Sequence, residues 1–504
     1  MKEALNLIWF KRDLRWQDHA PLKLAIADGL PLLGLFIFED FNSQDPSWSL
    51  RHWQAQYHSL VDMQATNKEA FNGILVLEGD SHEIFSEIAE HCVIKGIYSY
   101  QETGEDLSYQ RDKKLTKLFT EKGILWKELE QNAVQRGRRN RAAWDENWRN
   151  FMSQDLDKPN LPAWQYCRPS VKSHLKSKFG ISTLLQKRLK NWPTNFQKIG
   201  ESAAQFRLED YLTHKIYRNY GAHIGMPHES RSNCSRLSPF FAWGNLSIRQ
   251  VYQRSIRELE NSPFPRDLRA FISRLHWHSH FVQKFEMEES MEFENLNPAF
   301  DSLQKETKPA LVQAWQNGQT GYPLIDACMR AVKETGYLNF RMRAVLVSFL
   351  CHQLWQNWQE GASFLAQQFL DYIPGIHYPQ FQMQSGCTGI NTIRIYNPVK
   401  QSLEKDPEAK FISEWLPELR ELPLAFKHQP WMMTAMEQSF YNFELGRDYP
   451  HRIVDIYESG AYARDVLWAF RKSAWVRNEN QKILVKHTTA IRDPQQRSKK
   501  IMQP

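Results

Sequence analysis

Strand-forming sequence is confined to one end of this chain. Short apolar runs occur at Leu5–Phe10, Leu32–Phe38, Ile74–Leu77, Ile97–Tyr100 and Ile124–Trp126. Amphipathic stretches of helical period fall between them, near 21–28, 47–66, 81–92 and 105–122. Strand then helix, repeated, predicts a parallel sheet covered on both faces. After residue 200 the strand signal almost vanishes, and helix-period segments recur at 205–220, 247–260, 266–285, 309–315, 323–333, 338–358, 361–370, 408–414 and 461–476. A chain of 504 residues is too long for one ordinary core. The reading is therefore an α/β Rossmann-like N-terminal domain over 1–130, a connecting segment over 131–200, a large all-α domain over 201–485 and a basic tail over 486–504.

Composition narrows the function classes. Mean hydropathy is −0.60 and no run of 18 apolar residues exists, so no membrane span is predicted. The start, Met1-Lys2-Glu3 and then a short apolar run before Lys11-Arg12-Asp13, lacks the pattern of a signal peptide, which predicts a cytoplasmic protein. The six cysteines form no CxxC pair, arguing for reduced thiols rather than a zinc site or a disulfide framework. A net charge of +7 permits a polyanionic partner without requiring one. Tryptophan is the outlier: 18 residues is roughly threefold ordinary usage, which builds either an aromatic core or stacking and electron-carrying surfaces.

The first strand is not followed by GxGxxG, so the dinucleotide fingerprint is absent. Residues 135–141, QRGRRNR, form a basic cluster that reads as a solvated helix face or a polyanion contact. Pro159, Pro162, Pro169 and Pro193 mark 131–200 as a long connection over the surface, and Lys486, Arg492, Arg497, Lys499 and Lys500 mark the end as a loose tail.

Two segments carry chemistry. Gly336–Trp358 is apolar on nearly every face, which predicts one central buried helix. Arg341 and Arg343 within it are costly to bury unless each meets an anion. Two positions apart on a helix point about 200° from each other, so one faces an internal anion, Asp371 or a cofactor phosphate, and the other faces outward, toward a nucleic-acid phosphate. A structural pair of salt bridges is the alternative. The SRLS run, Ser235-Arg236-Leu237-Ser238, precedes Pro239 at a helix start, where hydroxyls and free N–H groups cradle phosphate or simply cap the helix.

Taken together, LIWFKRDLR (7–15), SRLSPFFAWGNLS (235–247), FISRLHWHSHF (271–281), WQNGQTGYPLIDACMR (315–330), the RMR helix, TIRIYNPVKQS (392–402) and FISEWLPEL (411–419) resemble the photolyase/cryptochrome family across nearly the whole length. The resemblance implies an N-terminal domain that can carry a second, antenna chromophore of unknown identity and a helical domain that holds FAD. It also implies a basic face admitting a flipped pyrimidine dimer. Tyr220, Ser235, Arg236, Leu237 and Ser238 would hold the phosphates and ribitol, with Asn339, Arg343, Asp371 and Gly375 beside the flavin ring. Trp277 would wall the hole, Arg341 and Arg394 would contact DNA phosphates, and Trp358 matches the middle member of the family's tryptophan relay.

The chain departs from that pattern at several positions. Arg274 stands where repair enzymes present a dimer-binding Glu, and His278 where they have Arg. Phe340 stands where an Asn is expected, with Asn339 one place earlier. The flavin-contacting stretch 370–386 is short by about two residues. It sets Gly375 or His377 where the family has an Asn, and Pro379 at the first relay tryptophan; Trp355, Trp358, Trp277 and Tyr378 are candidates for another path. His276, His278 and His280 suggest a metal, but residues i and i+2 point apart on a helix, so no shared ion is expected. His278 or His377 is either an active-site proton donor, since histidine titrates near neutrality, or a hydrogen-bonded cavity residue.

The expected function is a light-dependent lyase, a monomer, that repairs pyrimidine photoproducts in ultraviolet-damaged DNA with little sequence preference, by electron transfer from reduced FAD. The alternatives are a cryptochrome-type blue-light photoreceptor that binds FAD without repair, favoured by the missing Glu but not by the short tail, and a flavin-free scaffold.

Overall fold

The computed structural model describes residues 2–303 and 305–488. Five strands, β1 (Glu3–Phe10), β2 (Leu32–Glu39), β3 (Ile74–Gly79), β4 (Cys92–Tyr100) and β5 (Leu125–Leu129), form one sheet in the order β3-β2-β1-β4-β5. All pairings are parallel, with Leu7 opposite Leu33, Ile8 opposite Tyr98, Leu35 opposite Leu75 and Ile97 opposite Trp126. Successive side chains on a strand leave by opposite faces, and this sheet is buried on both. Leu5, Leu7, Trp9, Leu33, Leu35 and Ile37 enter one core; Ile8, Phe10, Leu32, Phe36 and Phe38 enter the other. That explains why the strands read as near-continuous apolar runs rather than as alternations.

One face is covered by α1 (Ser81–His91) and α2 (Pro169–Phe179), whose Ile84, Ile88 and Leu175 join the first of these cores. The expectation of a surface connection over 131–200 meets a different arrangement. Trp144, Trp148 and Met152 are buried in a third core with Tyr211, Tyr217 and Phe271, while Leu185 and Leu189 pack under the sheet. The basic cluster is likewise not a helix face. Arg136 bridges Glu128 of β5 to Glu286 at 3.3 and 3.2 Å, and the buried Arg141 stacks on Trp144 at 3.9 Å.

Beyond residue 200 the described chain is helical. Pivotal here are α3 (Pro265–Glu286), α4 (Phe340–Ser348) and α5 (Pro374–Ser385). The single helix expected over 336–358 breaks after Ser348. A wide turn over Phe349–Gln353 bonds Leu354 N–H to the Phe349 carbonyl five residues back, and Trp355 then adopts φ +53°, incompatible with a continuing helix. The short stretch 370–386 is no loop: α5 occupies most of it, with Pro374 pre-set at its first position and Pro379 inside. The expected tail also starts later, because α6 (Ala474–His487) carries Lys486; Arg492, Arg497, Lys499 and Lys500 lie outside the described residues. Among the described residues no helix is long and apolar enough to cross a membrane.

Candidate functional site

Asp371 is the centre from which the site can be built. It is buried at 8 % exposure just before α5 and accepts two hydrogen bonds from Arg343 of α4, at 3.0 and 2.7 Å. Arg343 also donates to the Leu338 carbonyl and stacks over Phe369 at 4.0 Å. The internal arginine of the RMR pair is thus satisfied by a carboxylate, and it is not the stranded cation of this interior.

Two neighbouring cations of this interior, Arg236 and Arg231, are left without an ion-pair partner among the described residues, as the buried Arg141 is in the third core. Arg236 adopts φ +55°, a left-handed conformation that costs a non-glycine residue free energy, and its guanidinium lies on Tyr337 at 3.6 Å. Its hydrogen-bond partner is the Arg231 carbonyl at a long 3.5 Å, and its Nε is buried without a partner. Burial pulls its pKa down to about 10. Arg231 stacks on Trp415 at 4.8 Å, donates to Thr335 at 3.3 Å, and also leaves a buried Nε unpartnered. Among the described residues no carboxylate lies within 4 Å of either guanidinium. Sequence reasoning missed Arg231; its signal was a second arginine in the polar run Ser230–Ser235.

Around them sit Ser235, the fully buried Leu237, and Ser238, which opens the helix Ser238–Ala242. Tyr220 is buried edge-on against Phe271 at 5.8 Å, its hydroxyl held neutral by burial, with the Arg274 guanidinium acting on it. Asn339 occupies the N-cap position of α4 without a side-chain bond to the helix, donates to the Ile224 carbonyl at 3.0 Å, and keeps a buried Oδ1 unpartnered. Gly375 is where α5 meets α3 backbone to backbone: a Cβ there would lie 2.9 Å from Val282 Cα.

Both histidines depart from the near-neutral titration that a proton donor would use. Burial lowers His278 to about 4 and His377 to about 4, so each imidazole is neutral at pH 7. His377 accepts the cavity role, hydrogen-bonded to the Ala362 carbonyl at 2.8 Å. His278 packs edge-on to Phe241 at 5.5 Å, and both its ring nitrogens are buried without partners.

Trp358 is buried, donates to Asn295 at 2.9 Å, and meets Tyr378 edge-on at 6.3 Å. Tyr378 in turn stacks on Phe285 at 5.9 Å and hydrogen-bonds Ser47 of the sheet unit at 2.8 Å. Trp355 lies elsewhere, against Tyr462.

The outer face is continuous. Trp277, 46 % exposed, and Arg274 lie one turn apart on α3; Arg274 sits 5.9 Å from the ring of the exposed Phe340. The next residue, Arg341, donates to the Tyr396 hydroxyl at 2.7 Å, and the exposed Arg394 lies two residues from that tyrosine. Arg341 and Arg343 therefore do point to different partners, as their helical spacing requires.

The carboxyl edge of the sheet is charged but closed. Arg111 reaches Glu39, Glu102 and Asp112; Arg12 reaches Glu102 and Glu105 at 3.6 and 3.3 Å; Lys11 lies 3.9 Å from Glu102. Two crevices open here, of about 70 and 20 Å³; the larger is shared with Phe241, His278 and Val282 of the helical unit.

Residues 6–137 match a family model described as DNA photolyase, and residues 271–469 one described as the FAD binding domain of DNA photolyase. The chain is 28 % identical over 494 residues to a cryptochrome DASH of Synechocystis sp., covering 90 % of this chain and 96 % of that protein. It is 25 % identical over 483 residues to a deoxyribodipyrimidine photo-lyase of Vibrio cholerae, with 90 % and 96 % covered. The solved Synechocystis cryptochrome superposes with a TM-score of 0.77 at 24 % identity, covering 92 % of this chain and 99 % of that one. Two matched units spanning more than half the chain, in the same order and with the same α/β and helical architecture, place it: the chain belongs to the photolyase/cryptochrome family, and its helical half is an FAD-binding domain.

Proposed function

We propose that the protein is a light-dependent DNA lyase that acts on pyrimidine photoproducts as a monomer. The observation that supports this reading is the pair of half-buried guanidiniums, Arg231 and Arg236, each with a buried Nε that meets no partner and with no carboxylate in salt-bridge contact among the described residues. A diphosphate supplies the two negative charges they lack. The donor set fits the cofactor: Ser235 and Ser238 beside the cations for the phosphates, Tyr220 and Leu237 walling the ribitol, and Arg343, Asp371, Asn339 and Gly375 around the ring. A bound reduced flavin supplies the light-driven electron.

The protein's own part is binding and electrostatics. Asp371 fixes Arg343, and Arg343 then presents a held positive charge to one side of the site. Neutral His278 offers a hydrogen-bond donor without adding a charge that would compete with Arg236. Trp277 gives a flipped base a stacking surface, and Arg341 and Arg394 grip phosphates on the same face. Arg274 cannot relay a proton as a glutamate does, so its role is to stabilise negative charge on the photoproduct or its phosphate. A second, antenna chromophore of unknown identity has its candidate position at the carboxyl edge of the sheet, where its entry requires the Arg12–Glu102–Arg111 network to open.

The second reading is a blue-light photoreceptor without repair, favoured by Arg274 and by the cryptochrome DASH relative. Illumination of the purified flavoprotein with ultraviolet-irradiated DNA decides between them. Light-dependent loss of dimers is expected. A protein that keeps its flavin and binds DNA yet leaves every dimer intact would establish the second reading.

A further inference from the structure

Far from the flavin half, on the outer surface of the sheet unit, two helices bring three ligating side chains together. Glu87 and His91 stand one turn apart on α1, and His174 reaches them from α2. Glu87 Oε1 lies 2.7 Å from His174 Nε2 and 3.4 Å from His91 Nδ1, and the two imidazoles sit 4.1 Å apart, centroid to centroid. One ligand atom from each of the three lies within 4.8 Å of the other two.

The helices that carry them are fixed. Ile84 and Ile88 of α1 and Leu175 of α2 are buried in a common core, with Phe179 packed against it, so the apolar packing beneath fixes the two helices that bring the groups together. The carboxylate is also divided in labour. Lys178 of α2 pairs with Oε2, leaving Oε1 directed at the histidines. Two exposed imidazoles and one partly buried carboxylate form the His₂Glu set that suits a borderline divalent ion such as Zn²⁺ rather than Mg²⁺ or Ca²⁺.

We infer that Glu87, His91 and His174 form a surface site for one Zn²⁺, which clamps α2, and with it the segment joining the two halves of the chain, onto the sheet unit. The site is separate from the histidines at 276, 278 and 280, which lie on α3.

The test uses the full-length flavoprotein freed of metal by chelation and titrated with ZnCl₂ by calorimetry, with metal content checked after dialysis. One Zn²⁺ per chain is expected. His174→Ala and His91→Ala should each weaken binding by tenfold or more while the flavin absorbance per chain stays unchanged. Lys178→Met, which frees Oε2, should keep the stoichiometry. No uptake by the wild-type protein, or one Zn²⁺ retained with unaltered affinity in both histidine variants, would overturn the inference. Preserved flavin absorbance in the variants separates loss of a ligand from loss of fold.

Discussion

The sheet edge and the helical interior both bury arginines, but only one closes its charge. At the edge, Arg111, Arg12 and Lys11 face Glu39, Glu102, Asp112 and Glu105, all within 4 Å of a partner of opposite sign. In the helical half, Arg231 and Arg236 meet aromatic faces and carbonyls instead. Burying a charge without its counter-charge is costly, so a fold that does it twice in one place has left room for an anion supplied from outside. Charge closure, not charge density, is what distinguishes a structural ion network from a ligand site here.

The sharpest way to break this contrast is to remove one cation from each region. Arg111→Met strands two buried carboxylates, Glu39 and Asp112, while Glu102 keeps Arg12 and Lys11, and the expected loss of stability is about 3–5 kcal/mol, read as a lower denaturant midpoint. Arg236→Ala strands nothing, so the flavin-free protein should hold its stability. Its flavin retention should instead fall roughly 10- to 150-fold, the value of about 1.5–3 kcal/mol for a charge-assisted hydrogen bond to a diphosphate. If Arg236→Ala stays fully yellow, or destabilises the flavin-free chain as much as Arg111→Met, the two regions do not differ in the way argued.

A smaller effect lies in pH. Burial pushes Glu39 up to about 7, against the pull of Arg111, and Glu105 up to about 6; Arg111, Lys11 and Arg12 overcome the same burial at Glu102 and hold it down to about 2. A carboxyl raised on folding stabilises fully below its unfolded value near 4.5, and that stabilisation is lost as pH rises through the folded value. Stability should therefore decline between about pH 5 and 8. Glu39→Gln should flatten that decline by about 1–3 kcal/mol, measured as denaturant midpoints across the range. A wild-type protein equally stable at pH 5 and 8 would show that the edge network relaxes when Glu39 ionises.

The same contrast marks what the residues revealed in advance. Strand positions were readable because burial on both faces leaves an apolar run in the inner strands, and each of the five appears in the sheet, the half-exposed edge strand β5 included. The opposite orientations of Arg341 and Arg343 followed from helical geometry alone. Three things were not readable. Helix 336–358 broke at Ser348 because a wide turn conserves apolar character while shifting register, so the pattern carried no warning. No helix was assigned within 370–386, yet Pro374 starts one there and Pro379 is accommodated inside it. Arg231 escaped notice because its importance is an absence: no local pattern states that a buried cation will find no carboxylate in three dimensions.

The weakest expected effect concerns the outer face, where cations are neither closed nor buried. Arg394 is exposed, close to Tyr396 and thus to Arg341, on the side that carries Trp277 and Arg274. A cation placed on a phosphate releases about one counterion. Arg394→Ala should then weaken DNA binding uniformly across sequences and reduce the slope of log affinity against log salt by about 1. Trp277→Ala should act differently. It removes a stacking surface and not a charge, so affinity for damaged DNA falls while the slope is unchanged. An unaltered slope in Arg394→Ala would take that residue off the DNA face. An altered one in Trp277→Ala would mean that the tryptophan orders neighbouring cations and does not itself receive a base.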